Sequence, residues 1–85
     1  MEKQEVLLKL VDKISELIGE HETNIQSSSN ILDIGLNSID FIKILVFAED
    51  EFGIEFDDGD LLMKKYQVIE DVVDLICSYM IKEKS

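Results

Sequence analysis

The chain has 85 residues, of which 46 % are hydrophobic, and 19 acidic against 8 basic residues give it a formal net charge of −11. This length allows one domain with one modest core, here residues 1–85, and the apolar content is too high for a disordered chain. The negative field excludes nucleic acid and anionic lipid as partners and favours proteins with basic docking surfaces, although an acidic surface that serves only solubility is the simpler alternative.

The first predicted element is an amphipathic helix at about residues 3–18, with Gly19 as its C-terminal stop. Charges are mixed among its apolar residues, so the segment has neither a signal-peptide core nor the roughly 18 uninterrupted apolar residues of a membrane helix. We therefore expect a soluble cytoplasmic protein that does not insert into membranes. The apolar residues at helical spacing are Val6, Leu7, Leu10, Val11, Ile14, Leu17 and Ile18.

A long polar loop is predicted at residues 20–37. It contains the only histidine, His21, which we interpret as a surface residue because glutamates flank it. Loops of this length without secondary structure are uncommon in compact domains unless they are functional. Four apolar residues are expected to pin it to the core: Ile25, Ile31, Leu32 and Ile34.

The second helix is predicted at about residues 38–52 and ends at Gly53. Ile54 and Phe56 follow as buried anchors, aspartates cap a short helix at about 59–65, and the last helix covers about 69–83. Three longer helices, one short helix and no strand alternation indicate an all-α fold. We predict a small four-helix bundle with a long loop between the first two helices.

Neither catalysis nor metal binding is indicated by the remaining residues. Cys77 is the only cysteine and falls in the apolar pattern of the last helix, which indicates a buried structural thiol far from His21. The acidic stretch EDEFGIEFDDGD lacks the ligand spacing of a calcium loop. The sequence therefore predicts a protein that is not an enzyme and has no metal site.

The second helix carries more apolar surface than one core face needs. At about 100° per residue, one stripe about 100° wide faces the core and contains Phe41, Ile44, Leu45, Ala48 and Phe52. A second strip lies on the side of Ser38, with acidic residues beside it. Either the first helix or the long loop covers this strip, or it docks a partner. The strip and its acidic border consist of Ile39, Ile42, Val46, Glu49 and Asp50.

A serine stands at the predicted start of this helix. Asn37 is a good N-cap residue, and Asp40 three residues later gives the pattern of a capping box. Ser38 would then occupy the first helical position with a free, exposed hydroxyl. A phosphate esterified there would lie near the positive end of the helix. Ordinary helix-start chemistry explains the same residue types, because serine, asparagine and aspartate dominate such positions.

The stretch LDIGLNSIDFIKILVFAEDEFGIEF resembles the carrier-protein family, which comprises acyl carrier and peptidyl carrier proteins. The family signature is approximately D-x-G-x-[DN]-S-[LIM]-[DE], followed by an acidic E-x-E-F. The order of helices, the length and the acidity agree with the family over nearly the whole chain. The residues that match in order are Asp33, Gly35, Asn37, Ser38, Ile39, Asp40, Glu49, Glu51 and Phe52.

This resemblance implies that a phosphopantetheinyl transferase moves 4′-phosphopantetheine from coenzyme A to Ser38. The thiol of that group would carry acyl or aminoacyl cargo as thioesters for fatty-acid, polyketide or nonribosomal-peptide pathways. A monomeric carrier would present this cargo to loading and condensing enzymes. The helix after the serine is the main recognition element of the family. We therefore assign partner docking to Asn37, Ile39, Asp40, Ile42, Val46, Glu49 and Asp50.

Some residues depart from the pattern of fatty-acid carriers. Asn37 stands where many of them have aspartate, Lys43 interrupts the acidic recognition helix, and Phe47 is large for its position. The segment NSIDFIK is more similar to stand-alone carriers of peptide or specialised-metabolite pathways. The alternative from another functional class is a small acidic helical adaptor that binds a basic partner without a cofactor.

Overall fold

The structure, a computed structural model, describes residues 3–19 and 25–84, so His21 lies outside the described residues. Within these ranges the chain is helical, and an isolated antiparallel bridge between Asn30 and Val68 is the only extended pairing. The predicted all-α class is confirmed. The elements are α1 (Lys3–Ile18), α2 (Ser38–Phe52), two 3-10 turns (Asp58–Leu61 and Met63–Lys65) and α3 (Ile69–Lys84).

The ends of α1 and α2 coincide with the local signals in the sequence. Gly19 follows α1 with a φ of 73°, and Gly53 follows α2 with a φ of 66°. Glycine adopts this left-handed conformation without the steric cost that other residues incur, so it ends a helix readily. After Gly53 the N–H of Ile54 turns back and donates to the carbonyl of Glu49 at 3.1 Å.

One face of each α-helix and five residues of the connecting segments form the core. Phe41 packs against Tyr66 with ring centroids 5.4 Å apart, and Phe56 packs edge-on against Tyr79 at 5.1 Å. The free space inside the core is only about 10 Å³, so the interior is densely filled. The buried residues are Val6, Leu10, Ile14, Ile25, Ile31, Leu36, Phe41, Ile44, Leu45, Ala48, Ile54, Phe56, Ile69, Val72, Val73 and Ile76.

The helices α1 and α2 run antiparallel. Lys9 forms an ion pair with Glu51, and one turn further along α1 the ammonium of Lys13 lies 5.5 Å from the ring centroid of Phe47. Lys3 connects α1 to the first two turns of α3, because its ammonium pairs with Glu70 at 3.2 Å and with Asp74 at 2.9 Å. Within the described ranges no helix combines the length and the apolarity needed to cross a membrane.

The predicted short helix at about 59–65 is matched roughly, by 3-10 structure rather than by one α-helix. Two 3-10 turns replace it, and they are separated at Leu62, whose φ of −88° and ψ of 105° are extended. The hydroxyl of Tyr66 donates to the carbonyl of Asp60 at 2.8 Å, which holds the two turns together. The short fourth helix of the predicted bundle therefore corresponds to these two 3-10 turns.

The loop before α2 is anchored by a different set of residues from the predicted one. Ile25 and Ile31 are buried and Ile34 is half-buried, as expected for anchors. Leu32 is 67 % exposed, so its predicted anchoring role is wrong, and Leu36 is buried at 4 % exposure in its place. Ile31 also donates its N–H to the carbonyl of Gln67 at 2.9 Å, which ties the loop to the segment before α3.

Candidate functional site

A tight turn leads the chain into α2. The side-chain oxygen of Asn30 accepts hydrogen bonds from the N–H groups of Leu32 (2.9 Å) and Asp33 (3.2 Å). Gly35 then donates to the carbonyl of Leu32 at 3.1 Å and has a φ of 92°, which strains any residue with a Cβ. This glycine reverses the chain, so that Leu36 points into the core and the next residues lie on the surface.

Asn37 is the N-cap of α2, as predicted. Its backbone is extended (φ −102°, ψ 177°), and its side-chain oxygen accepts a hydrogen bond of 2.7 Å from the N–H of Asp40. Within the described ranges, the Asp40 carboxylate makes no return hydrogen bond to Asn37, so only half of the predicted capping box forms. The cap defines the first helical residue.

That first residue is Ser38, and its side chain is exposed. Because Asn37 supplies the capping oxygen, the Ser38 hydroxyl is not needed for the helix start. It has no hydrogen-bond partner in residues 3–19 and 25–84. The hydroxyl is therefore accessible, and its modification would break no hydrogen bond within this part of the molecule.

This environment suits a phosphate ester on the hydroxyl. The first-turn N–H groups of an α-helix form the positive end of its dipole, which stabilises a nearby negative charge. The group before the serine is the uncharged amide of Asn37, and the residue after it, Ile39, is 66 % exposed and does not cover the hydroxyl. The residues present thus fit a covalently bound phosphopantetheine group.

The second apolar strip of α2 lies open on the same surface as Ser38. Ile39, Ile42 and Val46 are 66 %, 43 % and 50 % exposed, so neither α1 nor the described part of the loop covers them. Three exposed aliphatic residues at spacings of three and four form a continuous strip along the helix. We call Ile39, Ile42 and Val46 the docking strip.

The three acidic residues predicted for docking, Asp40, Glu49 and Asp50, differ in exposure and in hydrogen bonding. Asp50 is exposed, Asp40 is half-buried in the first turn, and Glu49 is half-buried. The Glu49 carboxylate accepts a hydrogen bond of 2.9 Å from the N–H of Phe56. Glu49 thus holds the segment after α2 in place, a role that sequence periodicity missed because the donor lies beyond the turn at Gly53.

A groove between α1 and α2 extends the docking strip sideways. Its volume is about 470 Å³, and its lining combines apolar residues with charged residues of both signs. Sequence periodicity does not reveal this groove, because it depends on how α1 packs against α2. We call it the α1–α2 groove, and its lining residues are Lys13, Leu17, Ile42, Lys43, Val46, Phe47, Asp50 and Glu51.

Comparison with known proteins places this geometry in context. Residues 8–76, a range that includes Ser38, match the family described as "Phosphopantetheine attachment site". The acyl carrier protein of Thermotoga maritima is 31 % identical over 75 residues, which are 87 % of this chain and 90 % of that protein. The acyl carrier protein of Lactobacillus johnsonii is 32 % identical over 80 residues, 93 % of this chain and 98 % of the relative.

The fold agrees with these sequence relations. The crystal structure of the acyl carrier protein from Thermotoga maritima superposes with a TM-score of 0.79 at 28 % sequence identity. The match covers 100 % of this chain and 96 % of the crystallised chain. The fold is therefore similar to that of this acyl carrier protein.

Proposed function

The chain belongs to the carrier-protein family with a phosphopantetheine attachment site, and we propose that Ser38 is the residue to which the group is attached. Members of this family carry covalently bound 4′-phosphopantetheine and act as carriers rather than catalysts. The observation that supports Ser38 is its position: an exposed hydroxyl at the first residue of α2, released from capping by Asn37.

In the proposed modification, Ser38 Oγ attacks the phosphorus of the phosphopantetheine moiety of coenzyme A. A phosphopantetheinyl transferase binds both molecules, the hydroxyl loses its proton, and adenosine 3′,5′-bisphosphate leaves as the P–O bond to it breaks. Asn37 holds the helix start in place through its hydrogen bond to Asp40 N–H during this exchange. Once attached, the group supplies a terminal thiol that holds acyl or aminoacyl groups as thioesters.

We propose that α2 presents this arm to partner enzymes. The docking strip and Asp50 form the contact surface, while Asn37 and Asp40 fix its position at the helix start. Glu49 contributes by positioning the segment that contains Phe56, rather than as a free surface charge. The partners are a phosphopantetheinyl transferase and the loading and condensing enzymes of a biosynthetic pathway.

The proposed carrier is one domain, residues 1–85, which works as a monomer in the cytoplasm. Asn37, Lys43 and Phe47 support cargo of a peptide or specialised-metabolite pathway over fatty-acid synthesis, because they depart from the acidic pattern of fatty-acid carriers. The adaptor alternative, an acidic helical protein without a cofactor, is not favoured by the match over residues 8–76.

Intact-mass measurement tests the attachment residue. The purified chain is incubated with coenzyme A, Mg²⁺ and a broad-specificity phosphopantetheinyl transferase. We expect the mass to increase by one phosphopantetheinyl group, and peptide mapping should place that group on the peptide that contains Ser38.

Two variants control this experiment. Ser38→Ala should give no adduct and keep its circular dichroism spectrum, because alanine is a good helix former and the hydroxyl has no partner among the described residues. Ser78→Ala removes another exposed serine and should be modified like the original chain. An adduct on Ser38→Ala would show that a different residue is modified.

A further inference from the structure

Lys43 is a cation without an ion-pair partner in a surface that is otherwise acidic. Its side chain is exposed on α2, and no carboxylate of the described residues lies within salt-bridge distance. The other lysines of this region are engaged: Lys9 pairs with Glu51, and Lys13 lies over the ring of Phe47. Lys43 is thus available to a charge on another molecule.

Asp50 is the corresponding free anion at the opposite end of the α1–α2 groove. It is exposed and makes no ion pair within the described part of the chain, whereas its neighbour Glu51 is bound to Lys9. Lys43 and Asp50 are seven residues apart, which is two helical turns, or about 10 Å along the axis. The two free charges of opposite sign therefore lie on one side of α2.

Most of the surface between these two charges is apolar. On α2, Val46 is 50 % exposed and Phe47 is half-buried. On α1, Leu17 is partly buried, and the ammonium of Lys13 lies over the ring of Phe47. A largely apolar groove between two helices can accept the apolar face of an amphipathic helix. Because the charges stand two turns apart, they match a helix that presents complementary charges at the same spacing.

A partner surface with only basic residues does not fit this groove. It would pair with Asp50, but it would bring a like charge against Lys43 and exclude water from that contact. Such a juxtaposition disfavours the complex and is a common source of partner discrimination. Lys43 thus selects against partners that suit a uniformly acidic helix.

We propose that the α1–α2 groove binds an amphipathic helix of a partner enzyme that has a carboxylate opposite Lys43 and a cationic side chain opposite Asp50, two turns apart. This inference rests on the proposed carrier function and specifies the partner that the carrier recognises. Lys43 and Asp50 determine specificity and orientation, and the apolar residues between them contribute the contact area.

A displayed library of helical peptides tests the proposal. Its apolar positions are randomised, as are two flanking positions seven residues apart, and it is selected on the full modified chain. We expect an acidic and a basic residue at the two flanking positions. On Lys43→Glu the same library should instead yield basic residues at both positions.

A selected acid–base peptide then gives the magnitude. Lys43→Glu replaces the attraction between Lys43 and the acidic residue of the peptide with a repulsion. We expect this change to raise the dissociation constant of the peptide by about twofold to thirtyfold. Lys64→Glu makes the same charge change at an exposed position outside the groove and should leave the dissociation constant nearly unchanged. Amide signals of Val46 and Phe47 should shift on binding.

The selection is repeated on Ser38→Ala, which keeps the groove and lacks the attachment hydroxyl. The same peptides there would support the groove even if the mass test of Ser38 failed. The proposal is overturned if the original chain selects only basic peptides, if Lys43→Glu does not change the selection, or if no peptide is enriched. It is also overturned if a selected peptide binds without shifting the amide signals of Val46 and Phe47.

Discussion

At the scale of single residues, Asn37 determines where α2 begins. Its side-chain oxygen binds the N–H of Asp40 at 2.7 Å, and loss of such a cap typically costs about 1 kcal/mol of stability. We therefore expect Asn37→Ala to lower the free energy of unfolding by about 1 kcal/mol. Urea denaturation followed by circular dichroism measures this change.

Asn37→Asp is the matched control, because aspartate also caps a helix and is common at this position in fatty-acid carriers. It should unfold at nearly the same urea concentration as the original chain. If Asn37→Ala were as stable as Asn37→Asp, the hydrogen bond to Asp40 would not contribute to the helix start.

Tyr79 has a strongly raised pKa. Its hydroxyl donates to the carboxylate of Asp60, lies 3.2 Å from a carboxylate oxygen of Asp57 and accepts from the N–H of Asp57 at 3.4 Å. The hydrogen bond to Asp60 is the main cause that raises the pKa of Tyr79 to about 12. The folded pKa lies above the ordinary tyrosine value of 10.0. The stabilisation is therefore complete below pH 10 and is lost as the pH rises towards about 12.

Absorbance titration of tyrosinate in Tyr66→Phe isolates this group, because Tyr66 is the other tyrosine of the chain. We expect the folded protein to titrate near pH 12 and the urea-unfolded protein near pH 10. Asp60→Asn should bring the folded midpoint down, since it removes the carboxylate that stabilises the neutral phenol. A folded midpoint near 10 in Tyr66→Phe would contradict the hydrogen bond.

At the scale of elements, Glu49 connects α2 to the segment after it. Its carboxylate accepts from the N–H of Phe56 at 2.9 Å, and Phe56 packs against Tyr79 of α3. Hydrogen bonds to charged groups contribute more than neutral ones, so Glu49→Ala should lower the free energy of unfolding by about 1–2 kcal/mol. Urea denaturation gives the value.

Asp50→Ala is the natural control for this change. Asp50 carries the same charge as Glu49 and is the next residue along α2. Its side chain is exposed and makes no ion pair in the described ranges, so its removal should change stability little. If both variants lost equal stability, the effect would come from charge and not from the contact with Phe56. Glu49→Gln, which keeps an oxygen acceptor, should lie between the two.

The elements that were predicted correctly are those with a local signal. The bounds of α1 and α2 follow from a period of 3.6 residues together with Gly19, Asn37 and Gly53, which act within one turn of the helix ends. The second strip of α2 could also be found on the helical wheel, because exposure on a helix depends on angle alone once the core face is known.

The features that were missed depend on residues far apart in the chain. The 59–65 segment splits into two turns. Asp60 in this segment accepts hydrogen bonds from the hydroxyls of Tyr66 and Tyr79, and Tyr79 belongs to α3. Leu32 and Leu36 lie in a segment without a period, so only the left-handed turn at Gly35 decides which of them faces the core. The α1–α2 groove likewise requires the packing of two helices.

At the scale of the whole molecule, the distribution of charge opposes folding. The chain has a net charge of −11 and a radius of gyration of 12.0 Å. The screening length is about 30 Å at 0.01 M salt and about 8 Å at 0.15 M salt. At low salt every carboxylate therefore interacts with every other across the folded molecule, whereas at physiological salt only near neighbours interact.

We consequently expect the protein to become more stable as salt is added. The urea midpoint should rise between 0.01 M and 0.15 M sodium chloride, since screening weakens the self-repulsion of the compact state more than that of the expanded chain. The double variant Glu55→Lys and Asp58→Lys reduces the negative charge at two exposed positions without ion pairs among the described residues. It should have a higher midpoint at low salt and a smaller rise.

Equal rises in both proteins would mean that salt acts on the chain by another route than charge screening. A midpoint that falls with salt would show that attractive pairs such as Lys9 with Glu51 outweigh the repulsion among carboxylates. The surface charge that we propose guides partners to α2 is, by the expected result, the same charge that lowers the stability of the fold. Neutralising part of it on contact with a basic partner would then stabilise the carrier as well as the complex.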